Sequence, residues 1–147
     1  MKLNLNKITL LGLDGLGNPD DTLKAMIYSS KFANFGAIKI LSAKKFSSSF
    51  CEVINIDKME YEGYQETCLT KLHDYIDTEF IMIVHPDGFI LNPELWNEHF
   101  LDYDYIGAPW SIQNSFNILN INLSAMQNFV KSNRLMRVGN GGFCIRS

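Results

Sequence analysis

Residues 85–89 have the sequence His-Pro-Asp-Gly-Phe and follow the most apolar run of the chain, Phe80–Val84. A carboxylate on a turn shaped by proline and glycine, directly after a buried strand, is well placed to bind a divalent cation. Mg²⁺ and Mn²⁺ prefer oxygen ligands and are usually held by one or two carboxylates together with substrate phosphates. Asp87 is therefore a candidate metal ligand, and His85 is a candidate ligand-binding residue. The alternatives are a plain turn residue before Gly88 and a structural histidine.

Residues 12–17, Gly-Leu-Asp-Gly-Leu-Gly, form a second candidate ligand-binding segment around Asp14. The glycines match neither the dinucleotide-binding pattern GxGxxG nor the phosphate loop GxxxxGK[ST]. The helix that follows would begin with Asp20 and Asp21, and these carboxylates would repel a phosphate bound at its N-terminus. The sequence therefore excludes both of those nucleotide sites. Alternatively, the glycines only shape a loop.

Residues 102–110 combine two acids, two tyrosines and a tryptophan. Aromatic faces pack on the C–H groups of sugars, and carboxylates accept hydrogen bonds from hydroxyl groups. Asp104, Tyr105 and Trp110 are thus candidates for binding a sugar acceptor, or else structural residues with Tyr105 and Trp110 filling the core. Asp102 and Asp104 are the only clustered acids near this segment. Neither is assigned as a catalytic base, and the sequence identifies no catalytic residue.

Residues 138–143 place three glycines around one asparagine. Glycine permits a close approach of the backbone to a ligand, and the amide of Asn140 can both donate and accept hydrogen bonds. Asn140, Gly141 and Gly142 are therefore candidates for contact with a donor ligand. The alternative is a tight hairpin turn, of which Asn-Gly is typical.

These segments are separated by the elements of an α/β protein. Short apolar or alternating runs predict strands at residues 8–13, 37–41, 51–56, Phe80–Val84 and 143–145. Helical spacing and cap residues predict a helix from residue 18 with Leu23, Met26, Ile27 and Ser30 on one face. A second amphipathic helix is predicted at residues 64–76, and its apolar face contains Tyr64, Cys68, Leu69, Leu72, Tyr75 and Ile76. Further helices are predicted at residues 93–100 and 124–133. The alternation predicts one domain, residues 1–147, with a mostly parallel, Rossmann-like sheet flanked by helices.

Ligands of such sheets bind beyond the carboxyl ends of the strands. That rule selects Asp14, Ser42, Asp57, and the pair His85 and Asp87. With the glycine-rich segment added, the predicted donor-binding residues are Asp14, Asp57, His85, Asp87, Asn140, Gly141 and Gly142.

Composition excludes several other classes of protein. The chain of 147 residues has a net charge of -3 and scattered basic residues, which argues against nucleic-acid binding. Cys51, Cys68 and Cys144 lack the spacing of a zinc site and are typical of a reducing compartment. The first apolar run is too short for a signal sequence, and no run has the length of a transmembrane segment. We therefore expect a cytoplasmic protein, with peripheral attachment to a membrane left open.

Three blocks of the sequence resemble a known family: His85-Pro86-Asp87, residues 103–110 and residues 139–147. It is a largely uncharacterised domain family with the glycosyltransferase A-type, nucleotide-diphospho-sugar transferase fold. Its members show a Q-x-D-like turn, a YDYIGAPW block and a GNGGFSLRS block. The resemblance implies a nucleotide-sugar donor, Asp87 as the metal-binding acid, and residues 140–142 facing the donor sugar. Here His85 stands where Gln is usual, and the turn has no second acid.

The resulting hypothesis is transfer of a sugar from a nucleotide-sugar donor to a glycan or other hydroxyl acceptor. Mn²⁺ or Mg²⁺, or else Arg134 and Arg137, would stabilise the leaving diphosphate. Members of the resembling family continue further, so the sequence predicts the donor-binding part of a longer domain. The alternatives are a nucleotide- or glycan-binding module without catalysis, and an inactive fragment whose open sheet edge pairs with another chain.

Overall fold

A computed structural model of the chain describes residues 2–107, 109–111, 136–138 and 142–147, with the backbone alone for 109–111 and 136–138. In chain order the described elements are β1 (Leu3–Asp14), α1 (Asp20–Ser29), β2 (Ala33–Ser42), β3 (Glu52–Asn55), α2 (Tyr61–Glu66), β4 (Phe80–Val84), β5 (Tyr105–Gly107), β6 (Pro109–Ser111), β7 (Met136–Val138) and β8 (Phe143–Arg146). The predicted strand at residues 80–84 is confirmed to the residue. The predicted helix at 124–133 lies outside the described residues.

Six of the described strands form one sheet in the order β3-β2-β1-β4-β8-β5. The pairs β1–β2, β2–β3 and β1–β4 are parallel, whereas β8 runs antiparallel to both β4 and β5. The prediction of an α/β fold is confirmed, but the sheet is mixed. Because Val84 pairs with Phe143, β8 starts where β4 ends and must run back along it. β6 and β7 form a separate antiparallel pair.

The sheet is buried on both faces, which is why its central strands are continuous apolar runs. Successive residues of a strand point to opposite faces. One face contacts Met26 of α1 and contains Ile8, Leu10, Ile40, Met82 and Val84. The other face contacts Tyr64 of α2 and Leu72 of the segment after it, and contains Leu11, Leu13, Leu41, Ile81 and Ile83. The carboxyl ends of β1 and β4 are thereby held rigidly between two packed layers.

The first helix packs on the sheet through a face that differs from the predicted one. The buried residues of α1 are Thr22, Ala25, Met26 and Ser29. Ile27, predicted to face the core, is 44% exposed. A methyl group on Gly12 would come within 2.5 Å of Met26 Sδ and 2.8 Å of Thr22 Cγ2. The bare glycine in β1 therefore sets where the helix rests, and hydrophobicity alone did not predict this.

The second helical segment changes its winding along its length. α2 continues into a π-helical turn, Thr67–Lys71, and a 3-10 turn, Leu72–Tyr75. The predicted helix at 64–76 is therefore confirmed, but one predicted inward residue, Leu69, is 78% exposed. Because a π turn accommodates one extra residue, it keeps Cys68 and Leu72 on the sheet side while Leu69 turns outward.

The predicted helix at residues 93–100 is replaced by two short 3-10 turns, Pro93–Leu95 and Glu98–Asp102. Trp96 and Asn97 between them have ψ angles of 135° and 126°, which end the first turn. The side chain of Asn97 then accepts a hydrogen bond from the His99 amide and starts the second. Among the described residues, no helix is long and apolar enough to cross a membrane.

Candidate functional site

The candidate site lies where the order of the strands reverses. From β1 the chain moves to β2 and β3 on one side of the sheet, and it returns to place β4 on the other side. In open α/β sheets such a reversal leaves a crevice beyond the carboxyl ends of the two strands, and ligands bind there. Gly12 pairs with Val84, so Asp14 and the His85 turn emerge at the same edge.

Asp14 is buried at the end of β1, and both of its carboxylate oxygens are engaged. Oδ1 accepts hydrogen bonds from the amides of Leu16, Gly17 and Asn18 at 3.0–3.2 Å. Oδ2 accepts a hydrogen bond of 2.8 Å from the hydroxyl of Ser42 at the end of β2. This carboxylate therefore shapes the loop that lines the crevice and ties β1 to β2.

The turn after β4 is closed by a reciprocal pair of backbone hydrogen bonds. The His85 amide donates to the Gly88 carbonyl, and the Gly88 amide donates to the His85 carbonyl, each at 3.1 Å. Pro86 and Asp87 lie at the exposed tip of this turn. Among the described side chains, none forms a hydrogen bond or an ion pair with the Asp87 carboxylate. The arrangement presents a carboxylate to solvent on a fixed turn.

The structure brings the turn into contact with the glycine-rich segment before β8. A methyl group on Gly88 would come within 2.8 Å of the Gly142 carbonyl oxygen and 2.9 Å of Phe143 Cβ. Two of the predicted donor-binding segments are therefore neighbours, although Gly88 and Gly142 are 54 positions apart in the sequence. Asn140 and Gly141 lie outside the described residues, as does Arg134.

His85 points away from the turn tip and into the layer below α2. Its Nε2 lies 2.5 Å from the Tyr64 hydroxyl, and the two rings meet edge to face with centroids 5.7 Å apart. Burial lowers the pKa of His85, and the nearby Asp87 carboxylate opposes that shift. Burial also raises the pKa of Tyr64 far above its usual value, so the phenol keeps its proton. With the ring proton on Nδ1, Nε2 accepts the hydrogen bond from Tyr64.

Arg146 connects β8 to the helix that carries Tyr64. Its Nη1 donates a hydrogen bond of 2.6 Å to the Cys68 carbonyl, and its Nε donates to Cys144 Sγ at 3.3 Å. The guanidinium also lies 5.2 Å from the ring centre of Tyr105. Burial raises the pKa of the Cys68 thiol, and none of the three cysteines forms a disulfide. This cluster ties β8 to the helical segment that packs below the sheet.

Asp57 is exposed beyond the end of β3, two strands away from the crevice. It lines a separate polar cavity of about 400 Å³ with Asn55, Ile56, Lys58, Met59, Gly63, Glu66, Thr67, Lys71 and Tyr75. The same loop folds back toward the candidate site, because the Met59 amide donates a hydrogen bond of 3.0 Å to the Gly15 carbonyl. Asp57 thus borders the site without joining its centre.

Asp104 lies at the opposite edge of the sheet. Both Tyr105 and Ile81 pair with Arg146, so β5 begins level with the amino end of β4. The Asp104 carbonyl and carboxylate accept hydrogen bonds from the Ser147 amide and hydroxyl, at 3.0 and 3.2 Å. Of the two roles predicted for Asp104 and half-buried Tyr105, this placement favours the structural one.

Two other predicted residues of this region do not enter the site. Asp102 is exposed and lies 2.8 Å from His99 Nδ1. For Trp110 and Arg137 the structure describes only the backbone, in which the two residues pair across β6 and β7. The roles predicted for Trp110 and Arg137 concern side chains outside the described part of the structure.

A divalent cation would find one carboxylate at the centre of the site. In the described part of the chain, no group of three or more His, Cys, Asp or Glu side chains could hold a metal ion. His85 Nε2 is engaged with Tyr64, which leaves Asp87. A single carboxylate fits Mg²⁺ or Mn²⁺ only where substrate phosphates and water complete the coordination. Lys44 and Lys58, both exposed after β2 and β3, supply further positive charge near this edge.

Sequence reasoning missed the contacts that Tyr64 and Arg146 make. Tyr64 and Cys68 are four residues apart and share the inner face of the helix, so their burial was predicted. Their partners were not, because His85 follows β4 and Arg146 lies on β8, and the sequence does not show the order and direction of these strands.

Residues 50–147 match the profile of a family described as "Protein of unknown function (DUF5672)". No curated protein and no solved structure is significantly similar to the chain.

Proposed function

The chain belongs to the DUF5672 family of proteins of unknown function, and we propose that it binds a nucleotide-sugar donor and transfers the sugar to a hydroxyl acceptor. The observation that supports this proposal most is the position of Asp87. Its carboxylate is exposed on a turn where the order of the strands reverses, and Gly88 of the same turn lies against Gly142. An exposed carboxylate with no described partner, close to a glycine that leaves the backbone accessible, suits the binding of a diphosphate and its metal ion. We also propose that the fold is of the glycosyltransferase A type.

The site would bind the donor through three kinds of contact. Asp87 would share a divalent cation with the diphosphate, and the cation would neutralise the charge of the leaving group. The Asp14 loop would form the wall on the β1 side, since its amides are fixed by the Asp14 carboxylate. Gly142 would allow the sugar to approach the backbone closely.

The proposed reaction forms a bond between the acceptor hydroxyl oxygen and the anomeric carbon of the sugar. The bond from that carbon to the diphosphate breaks, and the nucleoside diphosphate leaves with the electron pair. The acceptor hydroxyl loses its proton to a base. The Asp14 carboxylate of the crevice already accepts hydrogen bonds at both of its oxygens, so we assign no catalytic base.

The first test is binding, measured by isothermal titration of UDP and GDP with and without Mn²⁺. We expect Mn²⁺ to strengthen binding to the wild-type protein and Asp87→Ala to remove that gain. Asp104→Ala, which removes an exposed acid at the opposite edge, is the matched control and should bind as the wild type does. Equal gains from Mn²⁺ in the wild type and Asp87→Ala would overturn the metal role of Asp87.

The second test is turnover, measured as nucleoside diphosphate released from nucleotide sugars with and without saccharide acceptors. Acceptor-dependent release that Asp87→Ala abolishes supports a transferase. Tight binding without release across the panel would instead support a binding module. No binding of any nucleotide would overturn the proposed function.

A further inference from the structure

We propose that Tyr64 is a positioning residue that holds the turn at residues 85–88 in the conformation that presents Asp87. The inference rests on the proposed function, because Asp87 matters only if it binds a ligand. It adds a residue from a different layer of the fold, on α2, that does not itself face the crevice.

The first support is the contact itself. The Tyr64 hydroxyl lies 2.5 Å from His85 Nε2, and the two rings pack edge to face. His85 is also the residue whose amide and carbonyl both bond to Gly88. One residue therefore closes the turn with its backbone and anchors it with its side chain. Removing the side-chain anchor leaves the turn held by two backbone bonds at its open end.

The second support is that Tyr64 is itself held in place. Tyr64 packs against the apolar face that contains Leu72 and Ile83. Four residues further along, the Cys68 carbonyl accepts a hydrogen bond of 2.6 Å from Arg146 on β8. The helix is thereby tied to a strand of the sheet, and its tyrosine can fix the position of the turn rather than follow it.

The third support is the change of winding that follows Tyr64. The π-helical turn at Thr67–Lys71 lets Tyr64 before it and Leu72 after it pack on the same face of the sheet. Single π turns inside helices occur often at functional sites. Tyr64, at the start of this segment, meets His85 directly after the end of β4.

The experiment compares Tyr64→Phe with Tyr75→Phe, since Tyr75 is half-buried on the same helical segment and packs on the same face. Amide hydrogen exchange of Gly88 reports the opening of the turn without any ligand, with the Ile83 amide as a measure of global stability. We expect Gly88 exchange to accelerate about tenfold in Tyr64→Phe, beyond any change at Ile83. Tyr75→Phe should leave Gly88 exchange unchanged.

The second arm tests the route through His85. In His85→Gln the side-chain oxygen can still accept the hydrogen bond from Tyr64, whereas in His85→Leu no acceptor remains. We expect Tyr64→Phe to accelerate Gly88 exchange in the His85→Gln background and to have no further effect in the His85→Leu background. Equal effects in both backgrounds would mean that Tyr64 acts on stability in general, which overturns the positioning role.

The ligand arm measures UDP affinity in the presence of Mn²⁺ for the same variants. We expect Tyr64→Phe to weaken the Mn²⁺-dependent part of binding about tenfold and the metal-free part little. Faster Gly88 exchange with unchanged affinity would overturn the link to Asp87. Failure of the wild-type protein to bind UDP or GDP would overturn the proposed function, while Gly88 exchange would still report whether Tyr64 holds the turn.

Discussion

Two Asp-Gly pairs lie at the carboxyl ends of neighbouring parallel strands, and their carboxylates differ in burial and hydrogen bonding. Asp14-Gly15 follows β1 and Asp87-Gly88 follows β4, at the same edge of the sheet. The Asp14 carboxylate is buried and accepts four hydrogen bonds from its surroundings. The Asp87 carboxylate is exposed, and no described side chain bonds to it. The same dipeptide at the same edge thus organises a loop in one case and leaves its carboxylate exposed in the other.

The difference arises from what each carboxylate finds nearby. Beyond β1 the chain curls so that three successive amides point at Asp14, and Ser42 is adjacent on the paired strand. Beyond β4 the backbone closes its own turn, in which the amides of His85 and Gly88 bond to backbone carbonyls and not to Asp87. Buried polar groups are nearly always satisfied, and an unsatisfied carboxylate is tolerated only where water or a ligand reaches it.

The largest expected effect of breaking this comparison is at Asp14. Asp14→Ala removes four acceptor contacts and leaves the proton of the buried Ser42 hydroxyl without its acceptor, so we expect a loss of about 3 kcal/mol in the free energy of unfolding. Asp14→Asn keeps an acceptor oxygen for the three amides and should cost less. Urea denaturation monitored by circular dichroism measures both. A loss from Asp14→Ala as small as that from Asp87→Ala would contradict the structural assignment.

The glycines of the two pairs sharpen the comparison. In Gly88→Ala the new methyl group meets the Gly142 carbonyl and Phe143 Cβ below 3.0 Å, and the backbone on at least one side must move. In Gly15→Ala it meets the Met59 side chain, which is flexible and can turn away. We expect Gly88→Ala to cost about 1–3 kcal/mol in stability and Gly15→Ala clearly less. Thermal denaturation of both variants tests which one loses more stability. A larger loss in Gly15→Ala would show that the turn at Gly88 is not in contact with Gly142 as described.

A smaller effect on stability is expected from a change of pH. It acts through His85, which precedes the Asp87-Gly88 pair in the same turn. Its pKa in the folded protein is lowered by burial, so the folded state favours the neutral ring. Above the usual histidine pKa, the ring is neutral in both states and adds no pH dependence. As the pH falls below that value, the unfolded chain takes up the proton first, and stability is lost.

The check on this sign is the urea midpoint at about pH 7.5 and about pH 5, in EDTA, for the wild type and His85→Gln. The wild type should lose more stability than the variant between the two conditions. Identical losses would assign the pH dependence to carboxylates elsewhere in the chain.

The smallest effect on stability is expected from Asp87→Ala. Substitution of an exposed residue without described partners should change the free energy of unfolding by less than about 0.5 kcal/mol. Differential scanning calorimetry of the metal-free protein measures this change. A large loss would show that Asp87, like Asp14, serves the fold, and it would remove the contrast between the two pairs.

The sequence predicted the elements of this fold better than their arrangement. Phe80–Val84 was recognisable because burial on both faces demands an uninterrupted apolar run. β1 extends from Leu3 instead of starting at residue 8, because its first residues alternate with exposed polar ones and pair only with β2. The direction of β8 was not predictable, since it depends on the contact between Gly88 and Gly142 and not on local pattern.

The candidate site was predictable to the same degree. The rule of carboxyl ends placed Asp14, His85 and Asp87 at one edge, because it depends only on strand direction within the parallel part of the sheet. Asp104 was predicted either to bind an acceptor or to be structural, and it lies at the other edge, since the level at which β5 joins the sheet is set by β8. The engagement of Asp14 and the contact between Tyr64 and His85 required side-chain positions that no spacing reveals.

The insertion of β8 between β4 and β5 has a consequence for how the chain reaches this structure. Strand β4 is Phe-Ile-Met-Ile-Val, and until β8 arrives from about 60 residues further along, one of its edges is unpaired. An open edge of five apolar residues is the kind of template on which strands of other molecules pair. During synthesis the first four strands can assemble while this edge of β4 is still unpaired. The edge is open to pairing with other molecules until the ribosome has translated residues 143–146. The solubility of the nascent chain therefore depends on β8, although this strand does not line the crevice.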